Sequence, residues 1–140
     1  MVVADASEHG VSAALLMTTV RAQLRQRVAM KGDIARIISD VNLELVRDVQ
    51  ESGRFMTMFF LEIEPESKTM HWVRAGHEPA ILYNAQGDSV LELAGEGMAL
   101  GVVEEVDYQR YTHEGWTSGS IAVVGTDGIR EAQNVEGEMF

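Results

Sequence analysis

Apolar residues recur at helical spacing through the first third of the chain and at strand spacing afterwards. From Val11 to about Met30, Leu16, Val20, Leu24 and Val28 return every fourth position and predict one helix with a single apolar stripe. Gly32 breaks that run and Asp33 is a good N-cap. A second helix then carries Ile34, Ile37, Ile38, Val41, Leu45 and Val49 on one face and ends at Ser52-Gly53. Two amphipathic helices across so short a break predict an antiparallel or bent pair. Ahead of them, Val2 to Ala4 read as the end of a buried strand that Asp5 leaves. Ser7 is the expected cap of the first helix, and Gly10 allows a tight approach to it.

The period changes at Phe55. Residues 55–63, FMTMFFLEI, are almost continuously apolar and predict a central strand covered on both faces. Pro65-Glu66-Ser67 turns the chain, and Lys68 to Ala75 returns as an alternating strand, completing a hairpin. Further strands are expected at Ala80 to Tyr83, Val90 to Leu93, Asp107 to His113 and Ser120 to Gly125. A glycine-rich loop covers 95–101, and a short helix is expected over Ile129 to Asn134.

A strand stub, two helices and then strands in short hairpins make an α+β domain: a mostly antiparallel β-sandwich flanked by helices. The order lacks the alternating rhythm of a dinucleotide-binding fold, and no glycine-rich phosphate loop follows a strand. Residues 1–140 read as one partial domain, incomplete at both termini, because Val2 to Ala4 need a neighbour and the chain stops just after a turn signal. Open strand edges, or the helices, could then support a homodimer.

Composition narrows the function. A formal charge of −11 over 140 residues excludes a nucleic-acid or anionic-lipid surface unless a basic patch is present. Arg21, Arg25, Arg27 and Lys31 read as a solvated helix face. With no cysteine, thiolate chemistry and zinc–cysteine sites are excluded. No apolar run approaches the ~18 residues that span a bilayer. The expectation is a cytoplasmic domain without membrane insertion.

Two aspartates carry the candidate chemistry. Asp5 and Asp127 each sit where an apolar run breaks into small residues: VVADASEHG (2–10) and IAVVGTDGIREA (121–132). Carboxylates at strand ends, joined by a backbone carbonyl, suit hard cations such as Mg²⁺ or Mn²⁺. Two such ions can activate a water and clamp a phosphoryl group. The competing reading makes Asp5 a helix N-cap and Asp127 an ordinary Asp-Gly turn residue.

The surrounding motifs bear on that choice. VVADASEHGVSAALLM resembles the IGDVSGHGxxAALLM segment of the SpoIIE/RsbU-type serine/threonine phosphatases, a bacterial branch of the metal-dependent protein phosphatase 2C superfamily. FMTMFFLEIEPESKTMHWVRAGHEPAILY (55–83), GMALGV (97–102) and VVGTDGIREAQNVEGEMF (123–140) resemble three further motifs of that family, in order. The resemblance implies a phosphatase 2C-like fold and a two-metal Mn²⁺ or Mg²⁺ site with a bridging hydroxide. It also implies hydrolysis of phosphoserine or phosphothreonine on a regulatory protein, an anti-sigma-factor antagonist of the STAS type, within a sigma-factor circuit. Asp5 then matches the aspartate that bridges both metals, the Ala6 carbonyl a backbone ligand, and Asp127, beside Gly128, the aspartate that holds one metal. Two further family aspartates belong to segments not found in these 140 residues. The resemblance also implies that the helix pair relays an upstream signal to the Asp5 turn. An inactive signalling module with the same fold is the alternative.

Several positions depart from the pattern or stand beside it. Glu8 replaces a glycine of the family, as an added acceptor near the metals and a source of backbone strain. Ser120 replaces an aspartate, with the expected loss of a turn hydrogen bond. His9 reads as fixing the turn into the helix, its other reading being a general acid for a leaving serine. His77 is expected as a turn residue bonded to backbone, and His71 and His113 as strand surface. The methionines read as deformable core.

Overall fold

Segregation of apolar from polar positions decides which elements form and which way they face. The computed structural model describes residues 1–49, 52–129 and 132–139. Helix α1 spans Val11–Ala29 and α2 spans Ile34–Val49. Asp33 starts α2 as expected, its Oδ1 accepting the N–H groups of Ala35 at 2.9 Å and Arg36 at 3.3 Å. All six expected stripe residues of α2 are buried, joined by Asn42 and Val46. Fully burying an aliphatic side chain contributes about 1.5–3 kcal/mol, so this stripe holds α2 in place. On α1 the stripe holds through Leu16, Val20 and Leu24, but Val28 is 43% exposed. Positions four apart advance about 40° around a helix at 3.6 residues per turn, so the row drifts off the buried face.

Among the described residues, seven strands follow two hydrogen-bonded orders. The first sheet runs β1 (Val2–Ala6), β2 (Met56–Glu64), β3 (Thr69–Ala75) and β6 (Tyr111–Glu114). The second runs β5 (Ser89–Leu93), β4 (Ala80–Asn84) and β7 (Ile121–Val123). Each of these strand pairings is antiparallel. Met56, Met58 and Phe60 of β2 pack toward the helices with Leu16, Ile38 and Leu45. Phe59 and Leu61, on the alternate face, pack with Trp72, Leu82 and Leu93 between the sheets. The layers are therefore helices, sheet and sheet, an α+β sandwich, with β2 covered on both faces.

That double cover corrects the reading of β3 as an alternating strand. Five consecutive residues, Thr69 to Val73, are buried, because one face meets the helices and the other the second sheet. His71, expected at the surface, is 8% exposed and bonds Thr112 Oγ1 at 2.9 Å. The strand expected over 107–113 is confined to 111–114. Tyr108 instead turns inward from an irregular segment, and its hydroxyl donates to the Met98 carbonyl at 2.9 Å. In place of a helix from Ile129 there is one 3₁₀ turn, Asp127–Ile129; Arg130 and Glu131 lie outside the described residues. Ser120 keeps a turn bond after all, accepting the Thr117 N–H at 3.2 Å.

Burial pushes the Tyr108 phenol well above its ordinary value of 10.0. A raised folded value means that its contribution is complete below pH ~10 and is lost as pH climbs above it. Tyr108→Phe is expected to cost about 1 kcal/mol at neutral pH by orphaning the Met98 carbonyl. It should also flatten the alkaline loss of stability. Urea unfolding at about pH 8 and about pH 11 tests both, and an equally steep alkaline loss in the variant would refute the assignment.

Candidate metal centre

The candidate donors lie at or just beyond strand ends, where strand registers decide which side chains share a face. Strand β1 runs two residues further than expected, so Asp5 stays in the ladder opposite Thr57, and Ala6 sits opposite Met56. Helix α1 begins only at Val11, which removes the N-cap reading of Asp5. Directly opposed residues project to the same face of an antiparallel pair. Ala4 and Ala6 pack on the helix side, so Asp5 and Thr57 face the second sheet. Asp127 opens the 3₁₀ turn just beyond β7 of that second sheet.

The β1–α1 turn is held differently from the sequence reading. Ser7 does not cap α1. Its Oγ accepts the Phe55 N–H at 3.1 Å and its own N–H donates to the Phe55 carbonyl at 3.0 Å, closing the end of the β1–β2 pair. The N-cap position is Gly10, at φ 80° and ψ −153°, a conformation that costs glycine little. Glu8 is not among the non-glycine residues with positive φ, so it brings no strain of that kind. Its carboxylate takes Arg54 Nε at 2.8 Å, which commits it to an ion pair. His9 is exposed and makes no hydrogen bond among the described residues, so it does not fix the turn; Ser7 and Glu8 do.

Asp5 and Asp127 contrast with Glu8. Both are exposed, and among the described residues neither carboxylate is engaged in a hydrogen bond or an ion pair. By their chemistry, two uncommitted carboxylates and a backbone carbonyl would make an all-oxygen donor set of the kind a hard divalent cation takes. Among the described residues no three His, Cys, Asp or Glu side chains gather to complete a cluster. Those donors would fill only part of a coordination shell.

Sequence reading missed the residue that joins the two halves. His77 leaves β3 in the turn toward β4 and is 2% exposed. Its Nδ1 lies 2.8 Å from Thr57 Oγ1, beside Asp5, and its Nε2 lies 3.0 Å from the Gly125 carbonyl, two residues before Asp127. The expected backbone bond exists, but it reaches across the sandwich. One signal was available: Thr57 is the lone hydroxyl in FMTMFF, at a position that faces the inter-sheet core. The 74–77 turn also accepts the glycine loop very closely. A Cβ on Gly97 would stand 2.0 Å from the Arg74 carbonyl, so only glycine fits there.

The sequence model of Stage II sporulation protein E (SpoIIE) matches residues 1–140. The chain belongs to the SpoIIE family. Over 135 residues this SpoIIE-family chain is 23% identical to phosphoserine phosphatase RsbU of Bacillus subtilis (strain 168), covering 96% of the chain and 40% of RsbU. The SiaA-PP2C domain of Pseudomonas aeruginosa superposes with a TM-score of 0.81 at 21% identity, over 99% of this chain and 55% of that one. RsbX, solved in complex with magnesium, superposes with a TM-score of 0.70 at 18% identity, over 91% of this chain and 59% of RsbX. The fold is thus that of phosphatase 2C domains, and the chain spans about two fifths of RsbU.

Proposed function

We propose that this SpoIIE-family chain carries part of a metal-dependent protein serine/threonine phosphatase that hydrolyses phosphoserine or phosphothreonine on a regulatory protein. The observation that carries the reading is the pair of uncommitted carboxylates, Asp5 and Asp127, at strand ends of two sheets that one buried histidine ties together. Asp5, the Ala6 carbonyl and Asp127 would hold Mn²⁺ or Mg²⁺. Bound there, the cations supply Lewis-acid activation of a water for in-line attack on phosphorus. The chain's own contribution is positional. The β1–β2 ladder sets Asp5, the Ser7–Phe55 bonds and the Glu8–Arg54 pair shape the turn beside it, and the 3₁₀ turn presents Asp127.

The substrate assigned is a phosphorylated STAS-type anti-sigma-factor antagonist, and the setting is a cytoplasmic sigma-factor circuit. Similarity to a phosphoserine phosphatase, RsbU, supports the substrate class. Among the described residues no helix is long and apolar enough to cross a membrane. The want of a third ligating side chain among the described residues favours a second reading, an inactive signalling module.

Phosphate release from a phosphoserine protein decides between them, measured with Mn²⁺ and with excess EDTA. The chain should be assayed beside a version extended at both ends by its native flanking sequence. Metal-dependent release by the extended form is the expected result. Silence from both forms leaves the inactive module standing.

A further inference from the structure

We infer that His77 is a positioning residue that sets the spacing between Asp5 and Asp127, a role that rests on the two-metal reading of the site. The Gly125 carbonyl can only accept, so Nε2 carries the ring proton and donates to it. Nδ1 is then left to accept from the Thr57 hydroxyl at 2.8 Å. A planar ring with both nitrogens engaged is a spacer of fixed length. One end is anchored on the first sheet beside Asp5, and the other on the strand exit that leads through Thr126 to Asp127.

The spacer is itself held from behind. Arg74 Nε donates to the His77 carbonyl, and the Gly76 N–H donates to the Gly97 carbonyl at 2.7 Å. Gly76 also forms a bridge with Met58, the neighbour of Thr57 in β2. At 2% exposure the ring has no room to turn toward solvent. Groups that orient ligands without touching the metal typically change metal affinity about 10–100-fold when removed. A buried ring joining the supports of two exposed carboxylates belongs to that class of residue.

The experiment is Mn²⁺ titration, followed by electron paramagnetic resonance, on the chain extended at both ends by its native flanking sequence, with hydrogen exchange of residues 124–128 measured in parallel. His77→Ala is expected to raise the Mn²⁺ dissociation constant about 10-fold or more and to strip exchange protection from 124–128. Thr57→Val, which keeps the packing and removes the hydroxyl, should weaken binding in the same direction. The double variant should be no worse than His77→Ala alone, since both remove one connection. His71→Ala is the control. It empties a comparably buried site at the opposite end of β3 and should lower stability without moving Mn²⁺ affinity.

Unchanged affinity in His77→Ala and Thr57→Val, beside unmutated protein that binds Mn²⁺, overturns the positioning role alone. An equal loss in His71→Ala overturns it too, because the effect would then be general destabilisation. Unmutated protein that binds no Mn²⁺ overturns the two-metal reading first, and this role with it.

Discussion

Asp5→Asn and Asp127→Asn are each expected to cut Mn²⁺-dependent phosphate release by about 100-fold or more in the extended chain, with the fold intact. Asparagine keeps the shape and removes the charge that a divalent cation needs. Both carboxylates are exposed and uncommitted among the described residues, so the folded state gives up no bond when either changes. Surface changes of that kind usually stay within about 0.5 kcal/mol. The two losses should not multiply, because residues that build one centre act as a unit. Turnover and thermal unfolding measured side by side make the check. Retained turnover in either variant refutes the assignment of that residue, and so does a stability loss large enough to explain the drop. Glu8→Gln is the internal contrast: its carboxylate is held by Arg54, and an exposed pair of this kind contributes about 0–1 kcal/mol.

The helices and the central strand were legible in the sequence because their patterns have one physical solution. Six apolar residues on one face of α2, started by Asp33, leave no other way to bury that stripe. Continuous apolar character in β2 likewise demands cover on both faces, and the helices and second sheet provide it. Edges were harder. Asp5 looked like the first residue out of a strand because it is charged, yet the β1–β2 ladder runs on through Ala6. Hydrogen bonding between strands, which a single-chain pattern does not encode, decides where such an element ends. The 107–110 segment departs from the expected strand for a related reason: Tyr108 buries itself from an irregular stretch.

For the candidate site, the motifs pointed to the two aspartates but not to what surrounds them. Ser7 and Glu8 looked like a cap and a departure from pattern. Their partners, Phe55 and Arg54, lie more than 40 residues away in sequence. His77 read as a local turn residue for the same reason, since Thr57 and Gly125 approach it only once the two sheets stack. Local propensity reports neighbours along the chain, and a site built between sheets is made of neighbours across it.

Asn42→Ala is expected to cost roughly 3 kcal/mol, which lowers the melting temperature by roughly 10 °C in a chain of this size. Asn42 is the single polar residue on the buried face of α2 and is 0% exposed. Its amide donates to the Val103 carbonyl at 2.8 Å and the Glu104 carbonyl at 3.1 Å, and its oxygen accepts the Gly101 N–H at 2.9 Å. Truncation removes three hydrogen bonds that tie α2 to residues 101–104, at about 1 kcal/mol each. The residue also stands on a route to the site. Leu100, next to Gly101, exchanges two backbone bonds with Met56, at 2.9 and 2.8 Å, and Met56 is the ladder partner of Ala6. Backbone bonds thus run from the loop anchored on α2 to the strand pair that carries Ala6. Asn42→Asp discriminates further, because it retains the acceptor for Gly101 but turns a carboxylate toward two carbonyl oxygens. That repulsion raises the acid's folded pKa above its unfolded value near 3.9. The variant should be most stable in acid and lose stability as pH rises past that value, and at neutral pH it should be worse than Asn42→Ala. Denaturant unfolding across that range reads the sign directly. An Asn42→Asp chain as stable as the parent at neutral pH would mean that the amide's two donated bonds do not hold the 101–104 loop to α2.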